Sequence, residues 1–249
     1  MKNINFFYLF ILLTLTNVFS QTDEKKIKGV TIRNPNQIDT TQVRINSTFL
    51  LLGTLNDYIS HKYVTKQNQF DRYYDYEKPL MKYIDSIAKK DFKITFSVEK
   101  NCFISEELSN KMNSYYIENT LNDNLIDSNI KKLSFLLGVY FREGEKINDN
   151  LYKIQLANSP KHNNVYEIIK ELNCQNIFFK RLDNIPRIYQ IYFQPTEIMK
   201  KYFATIEIEK EKLFDSKLQS LRSIKVTKEE YKKEMEKENS GLIQLFNKK

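Results

Sequence analysis

Glycine is scarce in this 249-residue chain, limited to Gly29, Gly53, Gly138, Gly144 and Gly241, and tryptophan is absent. Five scattered glycines cannot build G-x-G-x-x-G or G-x-x-x-x-G-K-[ST], which need several backbone positions free of a Cβ against a phosphate. Nucleotide loops of those two kinds are excluded. The two histidines, His61 and His162, and the two cysteines, Cys102 and Cys174, supply no H-E-x-x-H, no C-x-x-C and no local zinc spacing. No G-x-S-x-G nucleophile elbow occurs either. No cofactor and no metal are therefore expected, and the sequence leans away from an enzyme.

What is present suffices for a packed core. Hydrophobic residues make up 41% of the chain, with 16 tyrosines and 17 phenylalanines, against 28% charged. The formal net charge of +8 is spread along the chain. A nucleic-acid binder gathers its basic residues on one stripe, so no nucleic-acid partner is expected. Lys180, Arg181 and Arg187 read as the solvated side of a hairpin.

Residues 1–20 have the layout of a secretory signal peptide: Lys2, an apolar run from Phe6 to Leu13, and a small-residue exit at Val18-Phe19-Ser20. The run is too short for a spanning helix, which needs about 20 apolar residues. A mature chain from Gln21, secreted or periplasmic and without a transmembrane segment, is the expectation. In an oxidising compartment Cys102 and Cys174 read as a disulfide. The alternative is two unrelated buried thiols, since both sit beside apolar residues.

Residues 21–41 are polar and lack an apolar period. From 42 to 125 the chain reads as mainly helical. Ile45, Phe49, Leu52, Leu55, Ile59 and Tyr63 share one helix face, and a second helix opens at Pro79 with Leu80, Tyr83, Ile84 and Ile87 inward. Phe92–Val98 alternates as a strand, and Ser105 caps a third helix.

Residues 126–209 read as an α+β region. Leu133–Phe141 is a dense apolar run, strand or helix, followed by strand, helix, strand, strand and helix. Residues 210–249 form a charged helical tail in which Thr227 and Glu230 make a capping box and Ser240-Gly241 ends the helix. The fold class is α+β, with a helical N-terminal half and a C-terminal, mainly antiparallel sheet carrying helices on one face.

The most unusual stretch is Phe70-Asp71-Arg72-Tyr73-Tyr74-Asp75-Tyr76-Glu77. Arg72, Tyr73, Tyr74 and Tyr76 offer large contact area with polar tips and are the candidate binding residues. Alternatively, two of the tyrosines cover neighbouring helices, their hydroxyls at the surface. Asp71 and Asp75, four apart beside Arg72 and Lys78, read as a solvated face. His162 near a helix start is a candidate general base, its pKa lowered by the helix dipole. His61, with Ser60 and Asp57, has the residue types of a triad but within about one helix turn, where such groups do not assemble.

One stretch resembles a known family. Phe135-Leu136-Leu137-Gly138-Val139-Tyr140-Phe141-Arg142-Glu143-Gly144, with the strand, helix, strand, strand, helix order behind it, resembles a LAGLIDADG homing endonuclease half-domain over residues 131 to about 203. The resemblance implies that Glu143 stands where the family holds its metal-binding acid, and Gly138 where helices pack closely. Glu replaces the usual Asp, and Arg142 is out of pattern. Three functions follow in order: an exported, soluble, non-enzymatic protein binding a protein, glycan or envelope component; an exported hydrolase with scattered groups, His162 and Glu143 the candidates; and a nuclease-like α+β domain.

Overall fold

The computed structural model describes residues 43–57, 68–118, 120–220 and 226–247. The expected leader and polar segment, and His61, lie outside them. The described residues belong to one unit, Thr40–Lys249.

Two helices set the centre. Helix α1 (Ser47–Thr54) begins where the Asn46 side chain accepts hydrogen bonds from Thr48 N and Phe49 N. It buries Phe49, Leu50, Leu51 and Leu52 in succession, so it is apolar all round. Its partner is a 15-residue helix, Asn129–Glu143, capped by Ser128 and buried continuously from Leu133 to Phe141. The run that periodicity left open is thus a helix. The two cross at Gly53 and Gly138. A Cβ on Gly53 would run into the Phe135 carbonyl, and one on Gly138 into the Leu50 carbonyl, so the approach is reserved for glycine.

Between these helices the chain forms a small layer. Strands β1 (Gln69–Arg72), β2 (Ser97–Glu99) and β3 (Cys102–Ile104) pair antiparallel in the order β1-β3-β2. Helix α2 (Lys78–Ile87) carries Pro79 in its first turn and buries Leu80, Ile84 and Ile87. The strand expected over Phe92–Val98 is mostly not one. A π-helical turn, Ala88–Phe92, ends at Lys93 with φ 61°, and pairing starts only at Ser97. Helix α3 (Glu106–Asn113) starts where Ser105 accepts from Leu108 N, as the sequence predicts. A two-residue ladder, β4 (Tyr116–Ile117) with β5 (Thr120–Leu121), leads to the long helix, here α4.

After a short strand the sequence did not signal, the second half follows the order read from sequence. Strands β6 (Gly144–Lys146), β7 (Tyr152–Ala157), β8 (Gln175–Leu182) and β9 (Ile188–Gln194) form an antiparallel sheet in the order β6-β7-β9-β8. Helix α5 (Lys161–Glu171) precedes β8, and α6 (Glu197–Ala204) follows β9. Ile154, Ile191 and Phe193 face the core with α4, whereas Lys153 and Tyr192 alternate to the other face.

Helices α7 (Glu207–Ser220), α8 (Lys228–Glu238) and α9 (Ser240–Asn247) complete the described chain. The capping box at Thr227 and Glu230 opens α8. That helix stops at Glu238, but Ser240-Gly241 does not end the helical tail: both residues belong to the first turn of α9, and Gly241 has open space around it. Phe246 of α9 packs with Ile147, Leu151 and Tyr192, so the tail covers one end of the second sheet face.

Apart from that satellite, one hydrophobic core joins both halves, from Phe49 to Leu213. Among the described residues, no helix is long and apolar enough to cross a membrane.

The disulfide is a correction. Cys102 and Cys174 are not bonded to each other. Cys102 lies in the centre strand of the first sheet, opposite Arg72 and Glu99. Cys174 follows α5, its Sγ 3.1 Å from Met199 Sδ. Burial pushes its thiol up to about 11, which makes it a poor nucleophile.

Candidate ligand cavity at the end of helix α4

The last turn of α4 carries Arg142 and Glu143 side by side, and the fold treats them oppositely. The Arg142 guanidinium is buried and uses all five of its N–H donors. Nε and Nη2 fork onto Glu77 at 2.8 and 2.7 Å, Nη1 bonds Asp71 and the Thr54 carbonyl at 2.7 Å, and Nη2 also bonds the Arg72 carbonyl at 2.9 Å. Asp71 also accepts from Asn56 N, and Glu77 from Tyr74 N. The Tyr73 ring lies 5.1 Å from the guanidinium carbon. This cluster ties β1, α1 and α4 together.

Most of the candidate stretch from Phe70 to Glu77 is thereby structural. Asp71 is fully buried rather than solvated, because it pairs with a charge 71 residues away. Tyr73, expected at the surface, is buried against Phe103 and Arg142. Tyr74 is exposed and stacks on the half-buried Tyr76 at 5.4 Å, and Arg72 is half-buried. The four residues do not form one exposed patch.

Glu143 belongs to a different setting, the lining of a cavity of about 390 Å³ between the end of α4, β6, α7 and α8. It makes no hydrogen bond or ion pair among the described residues. Burial raises its pKa above the usual carboxylate value, with Arg142, Lys161 and Lys217 opposing and Glu77 reinforcing the rise. Lys210 lines the cavity from α7. Its ammonium donates to the Tyr140 and Phe141 carbonyls at 2.7 and 3.1 Å, capping α4. Burial lowers its pKa to about 8, against the raising influence of Glu145, Glu207 and Glu143.

The walls are fixed by contacts across the tail. The Tyr231 hydroxyl of α8 donates to Glu145 at 2.6 Å, and Glu145 also pairs with Lys153. Burial would raise the Glu145 pKa, but Lys153 and these hydrogen bonds outweigh it and lower the value. The Phe214 and Tyr231 rings meet edge to face at 5.1 Å, and Lys228 holds α8 to Glu211 and Asp215 of α7. Tyr76 completes one side.

The other sequence candidate stands apart. His162 lines neither this cavity nor the one at the β8–β9 turn. Its ring stacks on Tyr189 at 3.6 Å, and Nδ1 donates to the Ser159 carbonyl at 2.7 Å. Its pKa is lowered as the sequence predicts, but burial is the cause, opposed by the bond to Ser159. Among the described residues, no group of three or more His, Cys, Asp or Glu is arranged to hold a metal ion. Sequence reasoning placed Glu143 at a helix end but missed Lys210, Glu145 and Tyr231, which come to it from separate elements.

No family model matches this chain, and no curated protein does. Among solved structures, the chain is similar to I-DmoI in its crystal structure with DNA and Ca. The two are 16% identical, the match covers 62% of this chain and 85% of that one, and the TM-score is 0.39. A likeness of that degree carries neither a fold nor a function to this chain.

Proposed function

We propose that this chain is a non-enzymatic binding protein that takes a small ligand into the cavity at the end of α4, and that it works outside the cytoplasm. One observation carries the reading. Glu143 and Lys210 line this cavity together with the rings of Tyr76, Phe214 and Tyr231, and the half-buried Glu143 carboxylate takes no hydrogen bond from the described residues; a concave pocket with aromatic walls and a few convergent polar groups is the usual make-up of a small-molecule site. The volume of about 390 Å³ lies within the range of small-molecule sites. The leader-like residues 1–20 support the exported location.

A hydrolase is the second reading, favoured by Glu143 and Lys210 having pKa values displaced toward each other at one cavity. Native mass spectrometry of the protein from its own host tests the first. The expected result is a non-covalent mass excess lost in Met235→Trp, which fills the cavity from α8. Bare protein mass throughout, or an excess untouched by Met235→Trp, would sink the cavity reading.

A further inference from the structure

Helix α8 closes one side of the cavity with Lys228, Tyr231, Lys232, Met235 and Glu236. Apart from Tyr231 and Met235, every residue of the helix is Lys or Glu, and those two, four apart, form its single apolar stripe. None of its residues is buried. A helix so polar has no core of its own and stays in place only through what its apolar stripe and its ends hold.

Those holds are few. The Tyr231 ring meets Phe214, its hydroxyl bonds Glu145, and Lys228 pairs with Glu211 and Asp215, whose carboxylates are more than half exposed. Exposed pairs of that kind contribute little and are screened by salt. Helix α9 supplies the anchor. It buries only Phe246, with Leu242 and Ile243 half-buried and Leu245 exposed. Phe246 sits with Ile147, Leu151 and Tyr192 in a cluster separate from the main core, and Met235 of α8 packs against the same cluster. One phenylalanine thus fastens both helices. The rest of the cavity lining is anchored differently, since Tyr140 and Leu213 belong to the main core.

Elements with few buried apolar contacts open locally at free energies well below that of global unfolding. We propose that α8 and α9 form one strap that closes the cavity and is released as a unit, with Phe246 as its catch, so that a ligand enters and leaves while the rest of the fold stays intact. The gating role rests on the cavity being the ligand site.

Hydrogen exchange read by mass spectrometry on the full chain tests the strap. Amides of α8 and α9 should exchange about tenfold or more faster than those of α4 and β9. In Phe246→Ala, exchange should rise further in both tail helices and stay unchanged in α4. Hydroxyl-radical footprinting reads the cavity side. Phe214 meets Tyr231 and lies outside the Phe246 cluster, and its oxidation should rise about threefold or more in the same variant. Tyr231→Phe, which loses only the bond to Glu145, should shift both readouts the same way by less, and it carries the test if Phe246→Ala does not fold.

Tail amides as protected as those of α4 overturn the proposal. A rise confined to α9, with α8 and Phe214 unmoved, overturns it by making the two helices independent, and a rise shared by α4 does so by making the tail part of the core. Exchange that depends on protein concentration would mean that the tail passes to a second copy instead of closing on its own chain, which overturns it as well. None of these readouts uses a ligand. A protected tail beside a native mass excess therefore removes the strap and keeps the cavity, whereas a labile tail beside a bare native mass removes the cavity reading and the gating role with it.

Discussion

Arg142 and Glu143 are neighbours on one helix turn, yet one has every donor satisfied and the other has no partner among the described residues. The contrast separates what holds the molecule from what is left for a ligand. Arg142 faces Asp71 and Glu77, and its desolvation is offset by a bidentate pair, a second carboxylate and two backbone carbonyls. Glu143 is half-buried at the cavity without that compensation, and its desolvation holds its proton more tightly.

The first way to break the comparison is to remove its satisfied member. Arg142→Met leaves Asp71 and Glu77 buried without their cation, and a loss of about 3–5 kcal/mol is expected from urea unfolding at about pH 7. Arg142→Lys, which keeps the charge but not the bidentate fork, should lose less. An equal loss in both variants would mean that charge is not what Arg142 contributes.

Gly138→Ala comes next, because it acts on the helix pair that positions both residues. The added methyl runs into the Leu50 carbonyl, a backbone atom that yields only if α1 and α4 separate. A cost of about 1–3 kcal/mol is expected. A thermal scan showing parent-like stability would show that the crossing has slack and that the cavity geometry does not depend on it.

The sequence revealed the local half of this arrangement and little of the rest. Caps at Ser105 and Thr227, Pro79 at a helix start, and the order from β7 to α6 are short-range signals, and each is found where the sequence puts it. Leu133–Phe141 stayed ambiguous because a helix buried all round loses its period. Phe92, Ile94 and Phe96 do alternate inward, but alternation is silent on whether a partner strand exists, and none pairs before Ser97. Asp71 looked solvated because the charge that buries it lies on α4, far along the chain. The cavity draws on α4, β6, α7 and α8, a convergence no window of sequence displays.

A smaller effect of opposite sign sharpens the contrast. Glu143 has a raised pKa in the folded protein, so the native state binds its proton more readily than the unfolded chain. The associated stability is fully present below the unfolded value of about 4.3 and is lost as pH rises through the folded value. Glu143→Gln removes the charge and should raise stability at about pH 7 by up to about 1 kcal/mol. The gain should vanish below about pH 4. A variant less stable than the parent at neutral pH would mean that Glu143 already has a favourable partner.

The smallest single effect is expected at Tyr74, whose neighbour Tyr73 is placed as differently from it as Arg142 is from Glu143. Tyr73 is buried beside Phe103 and the Arg142 guanidinium, whereas Tyr74 is 52% exposed. Tyr74 meets the protein mainly through Tyr76, and its backbone N–H, which bonds Glu77, survives any side-chain change. Tyr74→Ala should therefore change unfolding free energy by less than about 0.5 kcal/mol, against about 3 kcal/mol or more for Tyr73→Ala. Equal losses would mean that the Tyr74–Tyr76 stack belongs to the core. A neutral Tyr74→Ala that abolished ligand binding would return the binding surface to the aromatic stretch and away from the cavity.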